Sequence, residues 1–201
     1  MSTGNVGVES ADYETAPHVQ LDGQQKTIVG SVLDLFAGKP SLEKLSLWKD
    51  DGVFEDPITV ARGRKEFEPQ WYGLKTAFSE IERLSCKVVD GGNPVRIDMK
   101  TRYVVKGIGK EQTIASEIYV FYDKASGKIE KVQDKWDGNL PDSSIKNVSR
   151  SQLFSPWWWY HYYESWAFWL WSFTWQTRAW QAFRRLNANT VPKVVSVPKS
   201  D

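Results

Sequence analysis

Between Val95 and Val105 the chain alternates almost without lapse. Val95, Ile97, Met99, Tyr103 and Val105 are apolar, and Arg96, Asp98, Lys100 and Arg102 between them are charged. Successive side chains of a strand point to opposite faces, so this stretch buries one face and wets the other, as in an antiparallel sheet with one covered side. Something must cover the apolar face, and the segments before it supply the cover.

From Lys26, Ile28, Val29, Val32, Leu33, Leu35 and Phe36 recur at three- and four-residue spacing, which predicts a helix ended by Gly38 and Pro40. Ser41 reads as the N-cap of a second, short helix carrying Leu42, Leu45, Leu47 and Trp48. Gly52 to Asp56 reads as a short strand stopped by Pro57. A hairpin-like stretch, Thr59 to Gly63, leads into a third helix over Arg64 to Phe78, with Phe67, Trp71, Leu74 and Phe78 as its apolar stripe. Strands follow. Leu84, Cys86 and Val88 alternate with polar residues, and Asp90 to Pro94 is a turn before the 95–105 strand. Thr113 to Tyr122 is apolar on both faces and therefore central. Asp123 to Gly127 turns the chain back through Ile129, Val132 and Trp136. Helices first and then an antiparallel meander give an α+β domain over residues 26–140. Residues 1–25, polar and without apolar periodicity, read as a disordered arm, and 141–155 as a linker.

Charge and composition narrow the function. With 26 Lys+Arg against 25 Asp+Glu the net charge is +1, which provides no basic stripe for nucleic acid. One cysteine, Cys86, excludes an internal disulfide, and two distant histidines, His18 and His161, argue against a metal site. Neither a metal nor an organic cofactor is expected. The start of the chain lacks a charged end followed by an apolar run, so a cytoplasmic protein is expected.

The order helix, helix, short strand, helix, long strands resembles the nuclear-transport-factor-2-like superfamily, which includes polyketide cyclases and ketosteroid isomerases. The resemblance is carried by Val53-Phe54-Glu55-Asp56-Pro57 with Gly63-Arg64 opening a helix, and by Gly127-Lys128-Ile129 and Lys135-Trp136-Asp137. It implies a curved antiparallel sheet wrapped around a long helix, forming a cone with an internal pocket. It also permits a residue-by-residue test of the isomerase chemistry. Asp56 falls where those enzymes hold their general base, but their oxyanion tyrosine falls on Val32 and their proton-donating acid near Ile118. Losing one oxyanion donor costs about 2.7–4 kcal/mol in a characterised case, so the loss of both argues against that reaction. Cyclase-like relatives would place an acid–base aspartate at Asp137, with Lys135 where their histidine stands.

Three carboxylates are therefore candidates for catalysis: Asp56, Asp134 and Asp137. Asp56, preceding a proline, serves equally well as a turn cap. If Val132 and Trp136 face the core, Asp134 rather than Asp137 looks into the cone, unless a bulge intervenes. The residues expected to contact a ligand are Trp71, Tyr72, Tyr103, Glu117, Tyr119 and Trp136. Glu117 is a desolvated acid if it points inward, and otherwise a sheet residue able to pair with Arg102 across neighbouring strands. Cys86 reads as inert core.

Ser155-Pro156 then opens a separate helix expected over 156–188, before Val191-Pro192 stops it and a disordered tail, 189–201, ends the chain. Of the 19 residues from Trp157 to Trp175, 12 are Trp, Tyr or Phe. As a helix they would measure about 28 Å, close to one hydrocarbon thickness. Spanning helices are built mainly from Leu, Ile, Val and Phe, whereas this run has one Leu and no Ile or Val. Trp157, Trp158, Trp159, Trp166, Trp169, Trp171 and Trp175 with Arg178, Arg184 and Arg185 suit a helix lying in the interface of an anionic leaflet. Packing on the protein itself or on a partner, and a true span of the membrane, are the other readings. Two functions of different class follow. One is a membrane-associated domain binding a hydrophobic small molecule, with or without isomerase-, cyclase- or dehydratase-type acid–base activity. The other is a non-catalytic module, a homodimer through its sheet, anchored by the aromatic helix.

Overall fold

The computed structural model describes residues 7–107, 109–137 and 188–199. Seven strands form one sheet in the order β1-β4-β5-β6-β7-β2-β3. The meander β4 (Phe78–Asp90), β5 (Val95–Val105), β6 (Glu111–Tyr122) and β7 (Ile129–Trp136) is antiparallel, as the alternation requires. β2 (Trp48–Glu55) joins β7 in parallel and pairs with β3 (Val60–Arg62), and β1 (Glu14–Thr15) joins β4 in parallel. The sheet is therefore mixed at both flanks of an antiparallel centre.

β4 runs well beyond Leu84–Val88, and its register against β5 slips three times, between Phe78 and Glu80, Arg83 and Ser85, and Val88 and Asp90. Each extra residue bends a strand and increases its twist, so these slips curl the sheet over the helices. α1 (Gly23–Phe36) lies inside that curl. Ten of its residues are buried, including Ile28, Val29, Val32, Leu33, Leu35 and Phe36. α2 (Leu42–Ser46) is shorter than expected. Trp48 belongs to β2 instead, where it is fully buried and stacks on Phe67 with ring centroids 4.8 Å apart. α3 (Arg64–Ala77) buries Phe67 and Trp71 against the same cluster.

Residues 7–25 are not a disordered arm. The Glu9 and Ser10 backbone N–H groups donate to the two oxygens of Asp34, both at 2.9 Å, and the Lys44 ammonium reaches Asp34 Oδ2 at 3.1 Å. Gly30 makes the crossing possible, since a Cβ there would strike the Val8 side chain and come within 3.1 Å of the Ser10 carbonyl. Ala16 and Val19 then join the core, and Asp22 and Gln25 close a capping box on α1. The order comes from an internal acid that periodicity does not reveal.

Residues 189–201 also depart from expectation. The chain is helical over 188–194, passing through Pro192 instead of stopping before it. Ala188 is fully buried, and Val191 and Val195 approach α3 at Gly73. A stripe at spacings of three and four thus gives this segment an apolar face to bury. The aromatic run, and with it the interfacial residues from Trp157 to Arg185, lies outside the described residues.

Candidate functional site

β7 leaves its inward face at Val132, Asp134 and Trp136. Val132 and Asp134 are buried, and Asp134 pairs in register with Ile118 of β6. Around Asp134 opens a cavity of about 500 Å³. α1 contributes Phe36, β2 Phe54, the β2–β3 turn Asp56 and Thr59, α3 Trp71, and β5 Tyr103. Six aromatic rings line the cavity, with aliphatic and polar side chains between them. Phe54 and Phe36 pack on Trp71 with centroids at 4.5 and 5.1 Å, and Phe78 packs on Tyr103 at 4.9 Å. Val191 and Val195 complete the wall from the end of the chain. Gly73 permits this approach, because a Cβ on it would stand 3.3 Å from Val191 Cγ1.

Asp134 is 4% exposed. Trp136 Nε1–H donates to its Oδ2 at 2.8 Å, while Oδ1 has no hydrogen-bond partner. Burial foremost, then the negative charge of Asp56, pushes its pKa up to about 7, against the smaller pull of Trp136 and Ser116. The Ser116 hydroxyl is near enough to act on the carboxyl but makes no hydrogen bond with Oδ1. The Tyr103 hydroxyl is pushed up too, by burial and then by Asp134 and Asp56, with Thr101 pulling the other way. Tyr103 is thus close enough to both carboxylates to feel their charge. Asp56 also carries the turn, since its Oδ1 accepts the Ile58 N–H at 2.8 Å.

Of the residues expected from the sequence, Asp56, Asp134, Trp71, Tyr103 and Trp136 meet at the cavity. Asp137 does not. It stands one residue past β7 with φ 53°, in a groove on the other face of the sheet. Glu117 and Tyr119 are on that outer face as well, and the Tyr119 hydroxyl donates to Glu117 Oε2 at 2.9 Å. The pleat decides this, because Ser116, Ile118 and Val120 take the buried positions between them. Glu117 faces Asp98 across the ladder, while Arg102 binds Glu80, Glu82 and Glu111 instead. Tyr72 packs at the edge of the core and does not line the cavity. Val32 and Ile118 are fully buried aliphatic residues. Cys86 is half-buried, and burial pushes its thiol up to about 11, so it is a poor nucleophile at neutrality.

No protein-family profile matches the chain, and no curated protein does. Solved structures do. One is a nuclear-transport-factor-2-like protein from Burkholderia xenovorans LB400, 14% identical, with a TM-score of 0.49, covering 57% of this chain and 90% of its own. Another is a phenazine biosynthesis-related protein from Pseudomonas aeruginosa, 16% identical, TM-score 0.44, covering 66% and 93%. A third is a hypothetical protein with a ketosteroid isomerase-like fold from Catenulispora acidiphila DSM 44928, solved with trimethylamine. It is 16% identical, with a TM-score of 0.45, covering 59% and 88%. Other solved structures similar to this chain are described as having a cystatin-like fold, and one is a de novo designed protein with a curved β-sheet. The sheet that curls over α1, open at both edges, is the α+β cone the resemblance implied.

Several wall residues escaped the sequence reading. Phe54 and Ser116 were available from strand alternation, once β2 and β6 were assigned to faces. Val191 and Val195 were hidden behind Pro192, which reads as a stop signal. Among the described residues, no helix is long and apolar enough to cross a membrane.

Proposed function

We propose that the cone binds a small, mainly apolar molecule in the cavity, with Asp134 as its polar anchor. One observation carries this reading: a cavity of about 500 Å³, lined by aromatic rings and aliphatic side chains, that contains a buried carboxylate oxygen without a partner. Apolar sites with a few placed polar groups are the usual form of a small-molecule pocket. A cone serving only as a dimerising module gains nothing from such a chamber. Native mass spectrometry of the purified full chain tests the reading. A retained apolar molecule, or saturable uptake of 2-naphthol that Ile114→Trp blocks, is the expected result. A chain that takes up neither contradicts it.

A second reading, proton transfer, is favoured by Asp134 itself. An acid with its pKa near 7 is suited to both taking and giving a proton at neutrality. Tyr103 would offer an O–H to a developing oxyanion in place of the donors missing at Val32 and Ile118. The expected result is that the protein speeds exchange of the α-protons of 2-tetralone in D2O. Asp134→Asn then removes that acceleration in a protein that still melts as a folded chain.

The tail is proposed to hold the cone at a membrane surface on the cytoplasmic side. Its support is the sequence alone: indole rings concentrated between Trp157 and Trp175, followed by Arg178, Arg184 and Arg185.

A further inference from the structure

The described residues that line the cavity include two carboxylates, Asp56 and Asp134, and no Lys, Arg or His. Asp134 Oδ1 is buried and unpartnered. A buried acceptor left unmade is costly, so the site has a standing vacancy for a donor. Phe36, Phe54, Trp71, Phe78, Tyr103 and Trp136 line the same cavity, and aromatic ring faces carry partial negative charge. An anionic ligand would meet a carboxylate and aromatic faces with no described wall residue to balance it. A neutral ligand can hydrogen-bond Asp134 in its protonated form, but it leaves the ionised form uncompensated among apolar side chains. A cation satisfies all three features at once.

From this geometry we infer that the ligand is a protonated amine on an apolar body, its N–H donating to Asp134 Oδ1 and its alkyl groups lying against the rings. The inference deepens the binding reading and rests on it. It is independent of the proton-transfer reading, since here Asp134 serves as a counter-ion.

The test compares two molecules of the same shape, N,N-dimethylbenzylamine and its neutral carbon counterpart isobutylbenzene. Each is titrated into the full chain by ligand-observed NMR in mildly alkaline buffer, where Asp134 is ionised and the amine protonated. The amine is expected to bind at least about tenfold tighter, as a charged hydrogen bond with cation–π contact would give. Asp134→Asn is expected to bring the amine down to the level of isobutylbenzene while leaving isobutylbenzene unchanged. Equal binding of the two, or a preference that survives Asp134→Asn, overturns the amine inference and leaves the apolar cavity standing. Binding of neither overturns both. A circular dichroism melt of Asp134→Asn confirms that the variant compared is folded.

Discussion

Two buried aspartates in this protein have opposite pH signatures. Asp34 is pushed up by burial, but the Ser10 side chain, the Glu9 N–H and Lys44 outweigh that and hold it below the usual carboxylate range. A lowered pKa contributes stability that is present above the unfolded value and lost as pH falls through the folded one. Asp34→Ala would leave Lys44 buried without its partner and two N–H groups unmet, at a cost of about 3–5 kcal/mol. The check is a lower melting temperature at neutrality, with a gap that narrows in acid. Asp134 runs the other way. Its pKa rises from 3.8 to about 7, so the open chain ionises across that window and the fold does not. Stability therefore falls as pH rises from about 4 to 7. Asp134→Asn is expected to match the parent near pH 4 and to exceed it near pH 8, by on the order of 4 kcal/mol at about 1.36 kcal/mol per pKa unit. A variant less stable than the parent near pH 8 would contradict this. Asp134 was legible as an inward carboxylate because Val132 and Trp136 fix its face. Asp34 was not, because nothing local in a helical apolar run announces that a later strand of chain will be hung on it.

At the scale of elements, caps and alternation were readable and close approaches were not. The Asp22-x-x-Gln25 capping box was present in the sequence and sets the start of α1 three residues before Lys26. Asp22→Ala should cost about 1 kcal/mol, read as a shift of the urea midpoint at unchanged slope. β5 follows its alternation, with Val95, Ile97, Met99 and Tyr103 buried. The three slips of β4 carry no residue-level signal, because its burial is shallow along most of its length. Gly73 illustrates the limit well. Glycine inside a helix costs about 1 kcal/mol relative to alanine, which in sequence looks like a defect. Its reason is Val191, more than 100 residues away. Gly73→Leu should therefore keep or raise the stability of α3 while unseating residues 188–195. The measurement is amide hydrogen exchange. The Val195 N–H, bonded to the Val191 carbonyl at 2.9 Å, should lose its protection while the amides of α1 keep theirs.

For the whole molecule, the α+β class was legible because helices precede an antiparallel meander with one apolar face to cover, while the cone followed only from the family resemblance. The cavity was not, since a hollow depends on how far rings such as Phe36, Phe54 and Trp71 stop short of Trp136. The membrane proposal belongs at this scale. Replacing Trp166, Trp169, Trp171 and Trp175 by Ser should abolish sedimentation with phosphatidylserine-containing vesicles and leave the cone's melting temperature unchanged. Undiminished sedimentation would remove the interfacial helix from the account. The two valines at the far end of the chain bear on any such experiment. A fragment halted at Asp137 is a vessel missing part of its rim, and affinities measured on it would describe an unfinished container. Every shortened version intended for ligand work has to carry the stretch from Ala188 to Lys199 with it.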